Sequence, residues 1–307
     1  MIGVYRGPPG SVRNQEFQLH CSMSDRYAII GFPISQSLSP LLHSTAFRAV
    51  GLDATYEPIA VEPKELDRFV ASTLRTSFDG WNVTLPHKQR MAELVDVLDE
   101  SARAVGAVNT VVRRDGRLTG YNTDVDGVIQ TLQPHVQGRN NLDTVLIGAG
   151  GGARAVVAGL HRIGGCASLN ILVRTPTKGA SLLSSTGGLV PARTNILSIA
   201  SPEAFEALSN ADVIVQSTPL GMHPKVDDSP VPGFDAFRPG QIVFDLIYRP
   251  RTTRFLSTAK AAGATVLDGL TMFLYQGAAA FQLWTGRAMP LDAVRPVIER
   301  ELSITQV

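Results

Sequence analysis

Lys88 closes the run Asn82-Val83-Thr84-Leu85-Pro86-His87-Lys88, and Asp124 closes Asn122-Thr123-Asp124 further on. An ammonium within hydrogen-bond reach of a carbonyl oxygen can hand it a proton, while a neighbouring carboxylate orients the ammonium. Run backwards, the pair takes a proton from an alcohol. Reducing a ketone needs that proton together with a hydride. A surface ion pair of little energetic worth is the other reading of these two residues, and sequence chemistry leaves it open. Hydroxyls and amides surround the pair: Ser37, Ser39, Asn82, Thr84, Asn109 and Thr123. Singly, each is an ordinary turn or strand residue. Gathered at the ends of successive strands they suit a polyhydroxylated small molecule, because open α/β sheets bind ligands there. Ser37 and Ser39 alternate, so an extended backbone turns both toward one carboxylate, although Ser39 alone also suits a helix cap. Tyr248 and Gln276 are weaker candidates. A strand-end tyrosine is commonly core with a wet tip, and a glutamine on an apolar helix face needs a partner.

The hydride needs a carrier. Gly148-Ala149-Gly150-Gly151-Gly152-Ala153 fits G-x-G-x-x-A, after the bare apolar strand Thr144–Ile147 and before a helical stretch through Ile163. Small residues let the backbone approach a pyrophosphate, and the helix N-terminus offers unpaired N–H groups. A glycine loop also serves as a plain turn; the strand–loop–helix context favours the cofactor. At the end of the next strand an NAD site usually carries an acid for the ribose hydroxyls. This chain has Val173-Arg174-Thr175-Pro176-Thr177-Lys178 instead. Arg174 can fork onto a 2′-phosphate, with Thr175 and Lys178 as further donors, so the expected cofactor is NADP.

These residues need elements to carry them. Tyr27–Phe32, Thr55–Val61 and Gly80–Val83 read as strands, with helices over Pro40–Val50 and Pro63–Leu74 between them. Ala107–Val112 and Leu118–Tyr121 flank Asp115-Gly116 as a hairpin. A helical stretch from Asp126 to Leu132 leads into buried strands at 144–147, 169–173, 213–216 and 242–246, with helical stretches between them, the signature of a doubly wound sheet. Helices over 269–285 and 290–300 close the chain. The expected fold is therefore α/β with two domains. A substrate domain over 23–124 plus 269–307 receives the C-terminal helices, and a Rossmann-like NADP domain spans 125–268.

The chain has 307 residues, 44% hydrophobic and 18% charged, with a net charge of +1. That balance carries no footprint for nucleic acid or an anionic membrane. No apolar run reaches the roughly 20 residues of a membrane span. Cys21 and Cys166 make no disulfide framework, so a cytoplasmic protein is expected. Residues 1–22 lack a signal-like apolar segment and read as a disordered extension. The six histidines show no metal-ligand spacing with cysteines or acids, so no metal is expected. A small-molecule substrate is the expected partner, in a monomer or homodimer.

Several motifs together resemble the shikimate dehydrogenase family over nearly all the chain after about residue 25. They are Ser37-Leu38-Ser39-Pro40, Asn82 to Lys88, Gly106-Ala107-Val108-Asn109-Thr110, Asn122-Thr123-Asp124, Gly148 to Gly151, Gly221-Met222, Asp268-Gly269, and Gln276 with Phe281 and Trp284. The resemblance implies reversible reduction of 3-dehydroshikimate to shikimate. It implies Lys88 as the catalytic lysine working with Asp124, and Ser37 and Ser39 on the substrate carboxylate. Asn82, Thr84, Asn109, Asp124 and Gln276 would bind the ring hydroxyls, with Tyr248 on the substrate side. Arg174, Thr175 and Lys178 would clamp the 2′-phosphate, and the backbone of Gly269 would meet the nicotinamide. Gln216 departs from the family's usual asparagine, and Asp126 adds an acid close to the cleft. A quinate or dual quinate/shikimate dehydrogenase is the nearest rival, though Ser39 and Arg174 favour shikimate and NADP. A catalytically silent NADP-binding sensor is the rival from another class, and it has no use for a proton donor.

Overall fold

Short β-branched runs separated by helices build two six-stranded sheets. The computed structural model describes residues 24–231 and 236–304; the expected extension over 1–22 lies outside them. The first sheet takes β1 (Asp25–Gly31), β2 (Ala54–Ala60), β3 (Gly80–Val83), β4 (Val97–Leu98), β5 (Thr110–Arg114) and β6 (Arg117–Tyr121), in the order β2-β1-β3-β5-β6-β4. β1 runs parallel to both β2 and β3, whereas β5 is antiparallel to β3 and β6. Asp115 and Gly116 both take positive φ, the backbone a two-residue hairpin turn demands. Helices α1 (Ser39–Ala49), α4 (Lys88–Leu94) and α5 (Glu100–Val105) lie between strands. The helix expected over 63–74 is broken into a 3₁₀ turn, α2 (Leu66–Phe69), a π-helical stretch over Val70–Leu74 and α3 (Arg75–Ser77). Ser72 and Thr76 there donate back to the carbonyls of Arg68 and Ser72, a competition that bends helices.

Helix α6 (Asp124–Val136), which carries Pro134 in its last turn, leads to the second sheet. That sheet holds β7 (Leu142–Ile147), β8 (Cys166–Val173), β9 (Arg193–Ser198), β10 (Val213–Gln216), β11 (Ile242–Asp245) and β12 (Thr265–Leu267), with α7 (Gly151–Ile163), α8 (Pro176–Thr186), α9 (Pro202–Asn210) and α10 (Arg254–Ala261). Its order is β12-β11-β10-β7-β8-β9 and every pairing is parallel. The order reverses between β7 and β10, so their C-terminal ends open a crevice. Strand β9 falls within a stretch read as helical. It lies at the sheet edge and leaves Arg193, Asn195 and Ser198 exposed, so it lacks the apolar run of its neighbours.

Helices α11 (Leu270–Thr285) and α12 (Leu291–Ile304) return to the first sheet. Phe273, Leu274, Phe281, Ile298 and Leu302 share one buried cluster with Tyr27, Leu42 and Phe47. Trp284 stacks on Tyr27 at 4.9 Å, and its indole N–H donates to the Val111 carbonyl at 3.0 Å. Phe281 is fully buried, and such a side chain contributes about 1.5–3 kcal/mol by leaving water.

Candidate active site

Lys88 is the first residue of α4, directly after the turn that ends β3. Backbone bonds fix that turn: Thr84 N–H donates to Ile30 O and His87 N–H to Thr84 O. The buried His87 ring anchors it further, with Nε2 at 2.7 Å from the Val61 carbonyl. Asp124 opens α6, where the positive end of the helix dipole favours a carboxylate. Across the gap the Lys88 ammonium donates to Asp124 Oδ2 at 2.5 Å, with the two side chains only 17% and 8% exposed. The pair is therefore not a surface one. Removing two charges from water costs several kcal/mol per ion unless further hydrogen bonds hold them. Here Asn109 Nδ2 donates to Asp124 Oδ1 at 2.8 Å, and Asn109 Oδ1 accepts from the Thr123 N–H at 2.7 Å.

That polar cluster continues inward. Asn82 Nδ2 donates to the Asn109 carbonyl and to Thr110 Oγ1, and Tyr56 donates its phenolic proton to Asn82 Oδ1. Asn82, Asn109, Thr110 and Thr123 are all buried, so the cleft floor is a preformed network rather than a set of free rotors.

Next to this network, α1 begins at Ser39 and has no side-chain cap of the usual kind. Ser39 is the first helical residue rather than the cap, and its N–H donates to Ser37 Oγ at 3.3 Å. Both serines thus stand at a helix N-terminus, which suits a carboxylate. Tyr248, just past β11, stacks on Phe273 of α11 at 4.5 Å, and burial pushes its phenol above the ordinary value. Gln276, one turn along α11, donates to the Phe273 carbonyl.

The glycine loop follows β7 at the crevice. Gly148 has φ of 109°, and a Cβ there would stand 2.6 Å from Ser217 Oγ, so only glycine fits. Ser217 is held in turn by donating to the Ile147 carbonyl. Gln216 is fully buried and folds the next loop: its Nε2 donates to the carbonyls of Thr218 and Leu220, and its Oε1 accepts from Thr218 N–H. The departure at 216 thus organises a loop at the crevice. No side chain caps α7, leaving its first amides available, and a side chain at Gly150 would meet nothing within 4 Å. That open, donor-lined cradle fits a pyrophosphate. Arg174, Thr175 and Lys178 are exposed beyond β8 and in the first turn of α8, which fits a solvent-facing phosphate. Gly269 packs against β11's exit so closely that a Cβ would fall 2.2 Å from the Leu246 carbonyl oxygen.

Apart from Thr123, which is buried and bonded to Asn109, the residues singled out from the sequence as catalytic, substrate-binding or cofactor-binding line a single cavity of about 1510 Å³. Asp126 does not line it; burial raises its carboxyl above the usual range, opposed by the charge of Arg162. Sequence reasoning missed Tyr56, which reads as a plain strand residue, and gave Thr110 no role beyond its place in a motif. It also missed Ser217 and Thr218 as lining residues, although they follow a buried strand at the switch point, which is a signal in itself.

Comparison with known proteins agrees with this geometry. Residues 29–111 match the shikimate dehydrogenase substrate binding domain, and 269–299 match the shikimate 5′-dehydrogenase C-terminal domain. The chain is 38% identical over 296 residues to a shikimate dehydrogenase (NADP(+)) of Desulforamulus reducens, covering 92% of this chain and 99% of that one. Among solved structures, shikimate 5-dehydrogenase from Listeria monocytogenes, in complex with shikimate and NAD, superimposes with a TM-score of 0.81 at 32% identity, covering 90% of this chain and 96% of that one. The Thermus thermophilus enzyme, in complex with NADP(H) and shikimate, gives 0.78 at 34% identity, with 90% and 99% covered.

Proposed function

The chain belongs to the shikimate dehydrogenase family, and from that premise we propose that it catalyses the reversible NADP-dependent reduction of 3-dehydroshikimate to shikimate, on the route to aromatic amino acids. The buried Lys88–Asp124 pair facing the glycine loop is the observation that carries this reading. When bound, NADPH supplies the hydride. Lys88 Nζ gives its proton to the carbonyl oxygen as the alcohol forms, and Asp124 Oδ2 keeps the ammonium aimed. In the oxidative direction the same nitrogen takes the hydroxyl proton. Ser37 and Ser39, at the start of α1, hold the substrate carboxylate; Asn82, Thr84, Asn109 and Gln276 serve the ring hydroxyls, with Tyr248 beside them. Arg174, Thr175 and Lys178 would hold the 2′-phosphate of NADP, the amides after Gly148 its pyrophosphate, and the Gly269 backbone would meet the nicotinamide. We read the substrate domain as 23–124 plus 269–307, the cofactor domain as 125–268, and the protein as a cytoplasmic monomer or homodimer; among the described residues no helix is long and apolar enough to cross a membrane.

Turnover of shikimate and quinate, each with NADP and NAD, tests the assignment. Shikimate with NADP is expected to give the highest kcat/KM. Higher efficiency on quinate with NAD would transfer the protein to the quinate-oxidising branch.

A further inference from the structure

Tyr56 stands behind the substrate wall and does not line the cavity. Its side chain is buried between α1 and β3, stacked on the His43 ring with centroids 4.5 Å apart. The hydroxyl donates to Asn82 Oδ1 at 2.7 Å and interacts with the Ser39 side chain. It therefore joins two residues of the binding wall that come from different elements. Burial lowers the His43 ring pKa to about 3, opposed by Asn82 beside it, so this layer stays uncharged.

Asn82's hydrogen-bonding capacity follows from that packing. A side-chain amide has two donor hydrogens and two acceptor lone pairs. Both donors of Asn82 are committed, to Asn109 O at 3.2 Å and Thr110 Oγ1 at 3.0 Å. One lone pair on Oδ1 is committed to Tyr56. What remains is one Oδ1 lone pair, with the His43 ring beside it but outside hydrogen-bond geometry. We propose that Tyr56 is a positioning residue that fixes the Asn82 amide so that this wall reads a substrate hydroxyl only as a donor. A ligand carrying a carbonyl or ether oxygen at that position finds no proton there, so the arrangement selects a hydroxyl over a keto or alkoxy group at this one position, distinct from the carbonyl that Lys88 serves.

The inference rests on the shikimate reading of the cleft. The parent enzyme's turnover of shikimate tests that reading, whereas variant-to-parent ratios test this one. Tyr56→Phe is expected to raise KM for shikimate about 3- to 10-fold, the range for one lost hydrogen bond, with kcat and KM for NADP little changed. In an Asn82→Ala background the same change is expected to cost clearly less, because the part that passes through the amide is already gone and only the Ser39 contact remains. An unchanged shikimate KM, or an equal loss with and without Asn82, would overturn the proposal. Should Tyr56→Phe yield no folded protein, Thr110→Val reads the same amide from its other side by freeing a donor. It is expected to raise KM for shikimate likewise, and an unchanged KM in it is equally fatal.

Discussion

Lys88 and Asp124 meet at 2.5 Å although they are 36 residues apart, one opening α4 and the other opening α6. The same lysine reaches the other half of the molecule, since a Cβ on Gly151 would lie 3.6 Å from Lys88 Cδ. Its aliphatic stem thus rests over the glycine loop while its ammonium sits on the carboxylate. Proton donor and cofactor cradle are therefore close neighbours.

Replacing Lys88 with alanine is expected to lower kcat by on the order of 100-fold or more while substrate affinity changes little, the range for a lost general acid. Steady-state kinetics with shikimate checks this. An undiminished kcat removes Lys88 from the chemistry.

Arg174→Ala is expected to weaken NADP by about 1.5–3 kcal/mol, the worth of a charge-assisted hydrogen bond. NAD, which lacks the 2′-phosphate, should be affected far less. Titrating both dinucleotides against parent and variant decides it, and parallel weakening would refute the clamp.

Gly269 leaves no room for a methyl group, because the nearest atoms are backbone: Leu246 O at 2.2 Å and Ile247 C at 2.7 Å. Gly269→Ala should destabilise the protein by about 1–3 kcal/mol, as overpacking does. It should also raise KM for NADP, since the displaced chain borders the crevice. A denaturant melt with unchanged midpoint would contradict the close approach.

Burial raises the Asp245 carboxyl to about 7, offset by bonds from Ile247 N–H and the Thr253 hydroxyl. Its folded-state value lies above the unfolded one, about 3.9, so the native chain holds a proton that the unfolded chain has released. The stabilisation is complete below roughly pH 4 and is lost as pH rises through about 7. Asp245→Asn escapes that loss, so its stability relative to the parent should improve between pH 5 and pH 8. Urea unfolding at both pH values measures the difference, and a gap that stays constant would count against a buried carboxyl titrating in this range.

Local patterns in the chain were readable where one element is enough to define them. The glycine loop needs only a strand before it and a helix after it, and the Arg174 segment follows from the next strand's end. Asp115-Gly116 announces its own hairpin. Features that depend on partners across the fold, or on side chains bonding the backbone in competition with regular structure, were not readable. Strand β9 is an edge with polar residues turned to water, so its periodicity is weak. The segment over 63–77 looks like one helix until the hydroxyls of Ser72 and Thr76 compete for its carbonyls. Gln216 reads as a departure from a family pattern, and only the fold reveals the three loop bonds it makes. Tyr56 shows nothing in the sequence beyond a strand aromatic, because its role depends on Asn82 lying two strands across the same sheet.

The clustering of Phe281 and Trp284 with Tyr27 and Phe47 has a bearing on biosynthesis. A ribosome delivers β1 long before α11, so the earliest strands to emerge must wait with an apolar face uncovered until nearly the whole polypeptide has left the exit tunnel. The intervening parallel sheet has its own helices and can consolidate first. Maturation is thus expected to run from the middle of the chain outward, and a truncation that removes the last two helices strips the cover from the very strands that were made first.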